Sequence, residues 1–118
     1  MIGVDIVEIK RIEKAISPFP NRFVTRIFTP KEIEYCTHKS LSAQRFAGRF
    51  AAKEAVAKLI KKGPRWFWLD IEILPDDSGA PTVLLSQSVQ HLHPEPIHIS
   101  ISHCKEYAVA SAISSIKN

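Results

Sequence analysis

In this sequence of 118 residues, Asp5, Glu54, Lys58 and His103 are the side chains whose types and spacing best suit chemistry. Asp5 lies between Val4 and Ile6. Two readings compete for it: an N-cap with Glu8 three residues on, or a ligand for a hard cation, since an ionised carboxylate among aliphatics needs a partner. Glu54 and Lys58 are four apart in an alanine-rich segment. As an ordinary surface pair they would add about 0.2–0.5 kcal/mol to a helix. Phe50, Ala51, Ala55 and Leu59 flank them closely, however, so the column lies near the core. A carboxylate with an ammonium one turn away suits a metal-bound pyrophosphate, because Mg²⁺ takes one or two carboxylates and completes its shell with water and phosphate oxygens. Counting by two from Ile97 through Ile99 and Ile101 lands on His103, which is either a core histidine or a phosphate donor at a strand end.

Other chemistries fit less well. Ser102 and His103 are not a nucleophilic dyad, because adjacent strand residues point to opposite faces. His91, His93 and His98 lack the cysteine or carboxylate that would complete a zinc site. Neither G-x-x-x-x-G-K-[ST] nor G-x-G-x-x-G is present. Arg45, Arg49 and Lys53 recur every fourth residue as a cationic stripe, which leaves a small nucleic-acid-binding module as an alternative. Against it, the strands show no interleaved aromatic platform; Trp66, Phe67 and Trp68 read as one loop or edge patch.

The formal net charge of +4 favours an anionic partner. Two cysteines are too few for a disulfide framework, no apolar run is long enough to span a membrane, and the start carries no secretory pattern, so a cytoplasmic setting is expected.

The elements that must position these groups follow from periodicity. One domain over residues 1–118 is expected. Ile2, Val4 and Ile6 alternate as a first strand, and a helical period then runs to Ile16. Thr29-Pro30-Lys31-Glu32 is a capping box with proline at the first helical position, opening a helix to about His38. The long helix spans Ser42 to Lys62, and Gly63-Pro64 stops it. Strands are expected over Leu69–Ile73, Thr82–Leu85, Ile97–Ile101 and Tyr107–Ile116, the last buried on both faces. A short helix capped by Ser86 precedes the final pair. The order β-α-α-α-β-β-α-β-β is an α+β fold, a mainly antiparallel sheet packed against one long helix and shorter ones.

Three segments occur in order along nearly the whole chain: Gly3-Val4-Asp5-Ile6-Val7-Glu8 followed by Lys10-Arg11-Ile12; Ala47-Gly48-Arg49-Phe50-Ala51-Ala52-Lys53-Glu54-Ala55-Val56-Ala57-Lys58; and Ile99-Ser100-Ile101-Ser102-His103 followed by Glu106-Tyr107-Ala108. Together they resemble the bacterial holo-[acyl-carrier-protein] synthases, the short branch of the 4′-phosphopantetheinyl transferases. The resemblance implies transfer of the phosphopantetheine arm of coenzyme A to a serine of apo acyl carrier protein, in the service of fatty acid biosynthesis, with release of adenosine 3′,5′-bisphosphate. It implies Mg²⁺ held by Asp5 and Glu54, Lys58 on the phosphates, and Arg49, Gly79, Pro81 and His103 at the coenzyme pocket. Glu54, His103 and a water on the metal are the candidate bases. Arg11, Arg22 and Arg26 match the surface that meets the carrier protein. The family's homotrimers place their sites at subunit boundaries. A non-catalytic carrier-protein adaptor is the further alternative. The chain departs from the family where Ala80 replaces the lysine of a Gly-Lys-Pro turn and where Lys61-Lys62-Gly63-Pro64-Arg65 replaces a glycine-rich loop. Lys61, Lys62 and Arg65 are then the cations able to compensate.

Overall fold

The computed structural model describes residues 1–38, 42–60 and 65–115. Its elements are β1 (Ile2–Glu8), α1 (Ile9–Ile16), α2 (Pro20–Ile27), α3 (Pro30–Thr37), α4 (Ala43–Ile60), a 3₁₀ segment (Arg65–Asp70), β2 (Ile71–Pro75), β3 (Pro81–Leu85), α5 (Gln87–Gln90), β4 (Ile97–His103) and β5 (Tyr107–Ser114). The α+β order expected from the sequence holds, with one helix added. A three-stranded antiparallel sheet runs β1-β5-β4, and β2 and β3 form a separate antiparallel hairpin.

α4 is the axis of the molecule. Phe46, Ala47, Ala51, Ala52, Ala55, Val56, Leu59 and Ile60 are all buried, so the helix is enclosed on most sides. It lies across the sheet on the face formed by Gly3, Asp5 and Val7 of β1 and by Ala108, Ala110 and Ala112 of β5. Small residues allow that approach. A β-carbon on Gly3 would stand 2.2 Å from the Ala55 carbonyl oxygen, and one on Gly48 would stand 3.1 Å from Ile101 Cγ2. The opposite face of β5 exposes Tyr107, Ser111 and Ile113, so within one chain this strand is buried on one side and not on both.

Two expectations at helix starts change. β1 continues through Glu8, so Asp5 is a mid-strand residue paired with Ala110 and not a helix cap. The backbone N–H of Ile9, which opens α1, donates to Glu106 O at 2.8 Å instead. Ser86 makes no side-chain cap on α5; its hydroxyl donates to Asp70 Oδ1 at 2.7 Å. The capping box of α3 forms as expected, with Glu32 N donating to Thr29 Oγ1 and Thr29 N donating to Glu32 Oε1.

Glu32 does more than cap. It is wholly buried, accepts from Ile73 N at 2.7 Å through Oε2, and pairs with the equally buried Lys53 at 2.6 Å. Lys53 Nζ also donates to Ile27 O at 2.9 Å and Trp68 O at 2.7 Å, which uses all three ammonium donors. Burial raises the Glu32 carboxyl and lowers the Lys53 ammonium from their usual values, and each charge opposes the other's shift. Removing one member of such a pair costs about 3–5 kcal/mol. Nearby, burial pushes the Cys36 thiol up to about 12.

Candidate active site

β1 brings Asp5 to the α4 side of the sheet because side chains alternate along a strand. α4 brings Phe50, Glu54 and Lys58 into one column because residues four apart share a helix face. These meet in a cleft of about 580 Å³ lined by Asp5, Ile6 and Val7 of β1, Arg11, Ile12 and Ala15 of α1, Phe23 of α2, and Phe50, Glu54 and Lys58 of α4. Residues 5 and 54, remote along the chain, therefore share one wall system.

Lys58 ties the two elements together. Its Nζ donates to the Val4 carbonyl at 2.6 Å and stands 3.7 Å from Asp5 Oδ1. The ammonium is half-exposed and open to an incoming anion. Arg11 adds a second cation at the rim, and Phe23 and Phe50 supply apolar wall.

The remaining expected residues lie elsewhere in the single chain. His103 closes β4, pairs with Ala108, and is exposed. It shares the inner sheet face with Asp5 but stands two strands across and two residues along, about 12 Å away at ordinary strand dimensions. Gly79 and Pro81 sit at the β2–β3 turn, where Gly79 adopts φ of 91°. Arg22 and Arg26 are exposed on α2. Lys61 and Lys62 lie outside the described residues, as does the side chain of Arg65.

The expected cationic stripe is largely withdrawn from solvent, with Arg45 alone half-buried. Arg49 is buried with its guanidinium 4.4 Å from the Tyr35 ring centroid, Arg45 stacks on the same ring at 5.2 Å, and Lys53 is the partner of Glu32. A phosphate backbone needs accessible cations, so this arrangement argues against nucleic-acid binding through the stripe. Trp68 likewise belongs to the interior more than to a loop patch, stacking on Phe50 at 5.1 Å between centroids.

Sequence reasoning missed Phe23 because it missed α2. The signal was present: Pro20 at the first helical position, then Phe23, Val24 and Ile27 at helical spacing.

A cleft between a central helix and an antiparallel sheet, lined by two carboxylates and an ammonium, has the chemistry to hold a phosphate-bearing ligand. The chain belongs to the 4′-phosphopantetheinyl transferase superfamily, whose profile matches residues 1–112, and it is an enzyme of that transferase class. It is 45% identical over 117 residues to the holo-[acyl-carrier-protein] synthase of Koribacter versatilis, covering 94% of each chain. It is 50% identical over 116 residues to that of Clostridium botulinum strain Eklund 17B, covering 95% of this chain and 94% of the other. The Helicobacter pylori holo-[acyl-carrier-protein] synthase in complex with coenzyme A superposes with a TM-score of 0.87 at 36% identity, over 98% of this chain and 100% of that one. The Bacillus anthracis synthase in complex with CoA (3′,5′-ADP) gives 0.77 at 38%, over 96% and 93%.

Proposed function

We propose that this enzyme moves the 4′-phosphopantetheine arm of coenzyme A onto a serine hydroxyl of apo acyl carrier protein, in an Mg²⁺-dependent reaction that releases adenosine 3′,5′-bisphosphate. The observation that carries the reading is the cleft in which Asp5, Glu54 and Lys58 meet. Its relatives' complexes with coenzyme A support the donor, and their name supports the acceptor.

The donor set suits a hard divalent cation. Asp5 and Glu54 offer carboxylate oxygens, and among the described residues no group of three or more His, Cys, Asp and Glu stands ready to enclose a metal. Mg²⁺ is the ion that accepts so few protein ligands and fills its shell with water and phosphate. When bound by Asp5 and Glu54 it supplies charge neutralisation on the pyrophosphate.

The chain's own residues do the rest. Lys58, held by the Val4 carbonyl, keeps an ammonium where negative charge grows on the departing phosphate. On the strength of the resemblance, Glu54, His103 of a neighbouring copy or a water on the metal would take the serine proton. Arg49, Gly79, Pro81 and His103 are assigned to the coenzyme on the strength of family resemblance. Arg11 at the cleft rim, with Arg22 and Arg26 on the exposed side of α2, forms a basic surface toward an acidic carrier, speeding encounter. A homotrimer accounts for the outer sheet face, where Ile2, Ile6 and Ile113 are 73%, 63% and 51% exposed, and for the separation of His103 from Asp5 within one chain. Free thiols at Cys36 and Cys104 suit a cytoplasmic setting.

Incubation with coenzyme A, Mg²⁺ and apo carrier protein, read by intact mass of the carrier, tests the proposal. The expected result is gain of one phosphopantetheine arm, abolished by chelator. Carrier binding without mass gain would replace the reading with that of an adaptor, and salt-sensitive retention of oligonucleotide would favour the nucleic-acid module.

A further inference from the structure

Lys53 immediately precedes Glu54 in α4 and points into the interior, while Glu54 faces the cleft. Consecutive helix residues project about 100° apart, so whatever fixes the direction of one fixes the direction of the other. Lys53 is fixed from three sides. It reaches Ile27 O at the end of α2, Trp68 O in the 3₁₀ segment, and Glu32 Oε1 in α3. Glu32 is itself held by Thr29 N and by Ile73 N of β2. Thr29 Oγ1 donates onward to Glu72 Oε2 at 2.7 Å. This bonding ties α4 to α2, α3, the 3₁₀ segment and β2.

A hydrophobic contact would leave α4 free to rotate slightly about its axis; a directional, wholly buried ion pair does not. We infer that Lys53 is a positioning residue: with Glu32 it sets the azimuth of α4 and so aims Glu54 into the cleft beside Asp5. The inference rests on the proposed transfer at that cleft. It also explains why α2 takes part. The carbonyl of its last residue is one of the three anchors, and the same helix delivers Phe23 to the cleft wall and displays Arg22 and Arg26. The surface assigned to the carrier and the carboxylate assigned to the metal are thus joined through one ammonium group.

The test compares wild type, Lys53→Met and, as a control far from the cleft, Val89→Ala, at a temperature well below each thermal midpoint. Mn²⁺ affinity is read by electron paramagnetic resonance of the free ion, and kcat and KM for carrier are measured in parallel. Lys53→Met keeps the aliphatic bulk and removes the ammonium. It is expected to weaken Mn²⁺ binding and lower kcat by about tenfold or more, the scale at which supporting groups behind metal ligands act, with KM for carrier changed less than about twofold. Val89→Ala should lose stability and neither of these. A folded Lys53→Met that binds Mn²⁺ as wild type does overturns the inference, as does a wild type that binds no Mn²⁺ at millimolar concentration. Should Lys53→Met fail to fold, Glu32→Gln is read in the same way, because Lys53 then keeps both carbonyl partners. It should weaken Mn²⁺ binding by about threefold or more, and wild-type affinity overturns the inference. A wild type that binds Mn²⁺ but leaves the carrier's mass unchanged defeats the proposed reaction, while the comparison of Mn²⁺ affinities still decides the role of Lys53.

Discussion

Asp76 shows how much one side chain can organise. Its Oδ1 accepts from Ser78 Oγ at 2.6 Å, Ser78 N at 2.8 Å and Ala80 N at 3.0 Å, closing the turn that carries Gly79 into Pro81. The Ser78 hydroxyl first, and then the backbone amides, hold its carboxyl below the usual 3.8. Because the folded state favours the ionised form, the turn's stabilisation is complete above that usual value and is lost as pH falls through the lower folded-state value. Asp76→Asn should therefore melt below wild type at neutral pH and converge with it in strong acid, as followed by thermal unfolding across pH. A constant gap would show that the charge is irrelevant. Legibility at this scale depended on local partners. Thr29 and Glu32 declared a capping box because both members lie within one turn. Glu54 and Lys58 declared a column for the same reason. Lys53 reads as part of a cationic stripe because its partner Glu32 lies on another helix, and no short window contains both. Asp5 posed the opposite difficulty: a capping pattern with Glu8 was present, but the strand continues past it.

Among elements, the contact that matters most is the crossing of β1 and α4. Gly3 faces the Ala55 carbonyl so closely that a methyl group has no room, and backbone cannot step aside as a flexible side chain would. The added β-carbon would also lie 3.3 Å from Lys58 Cβ. Gly3→Ala is expected to lower stability by about 1–3 kcal/mol by overpacking, and to loosen the hold of Val4 O on Lys58. Chemical denaturation gives the first quantity. Turnover at a temperature where the variant is folded gives the second, expected to fall more than the folded fraction does. Turnover matching the folded fraction would separate the crossing from the chemistry. Strand and helix periods made most elements readable, since β1 and β4 alternate and α4 is rich in alanine. α2 escaped because Ser17-Pro18-Phe19-Pro20 reads as a stop, and only Pro20 at a first helical position marks it as a start.

At the level of the whole molecule, the three-stranded sheet has one face on α4 and one bearing Ile2, Val4, Ile6, Tyr107 and Ile113 to the outside. β5 read from sequence as buried on both sides; a neighbouring copy against the outer face would make it so. If the proposed homotrimer forms through this face, Ile113→Lys, which touches nothing in the cleft, should reduce the mass seen by light scattering from three chains to one and lower turnover with it. Unchanged mass would leave the face without that role. The proposed phosphate transfer needs two carboxylates, one from the first strand and one from the central helix, in one cleft. Turnover by Glu54→Gln, scored by intact mass of the carrier in saturating Mg²⁺ alongside a thermal melt, tests this most directly. A loss of about a hundredfold or more in kcat with the melt unchanged is the predicted result. Wild-type turnover by that variant would contradict it.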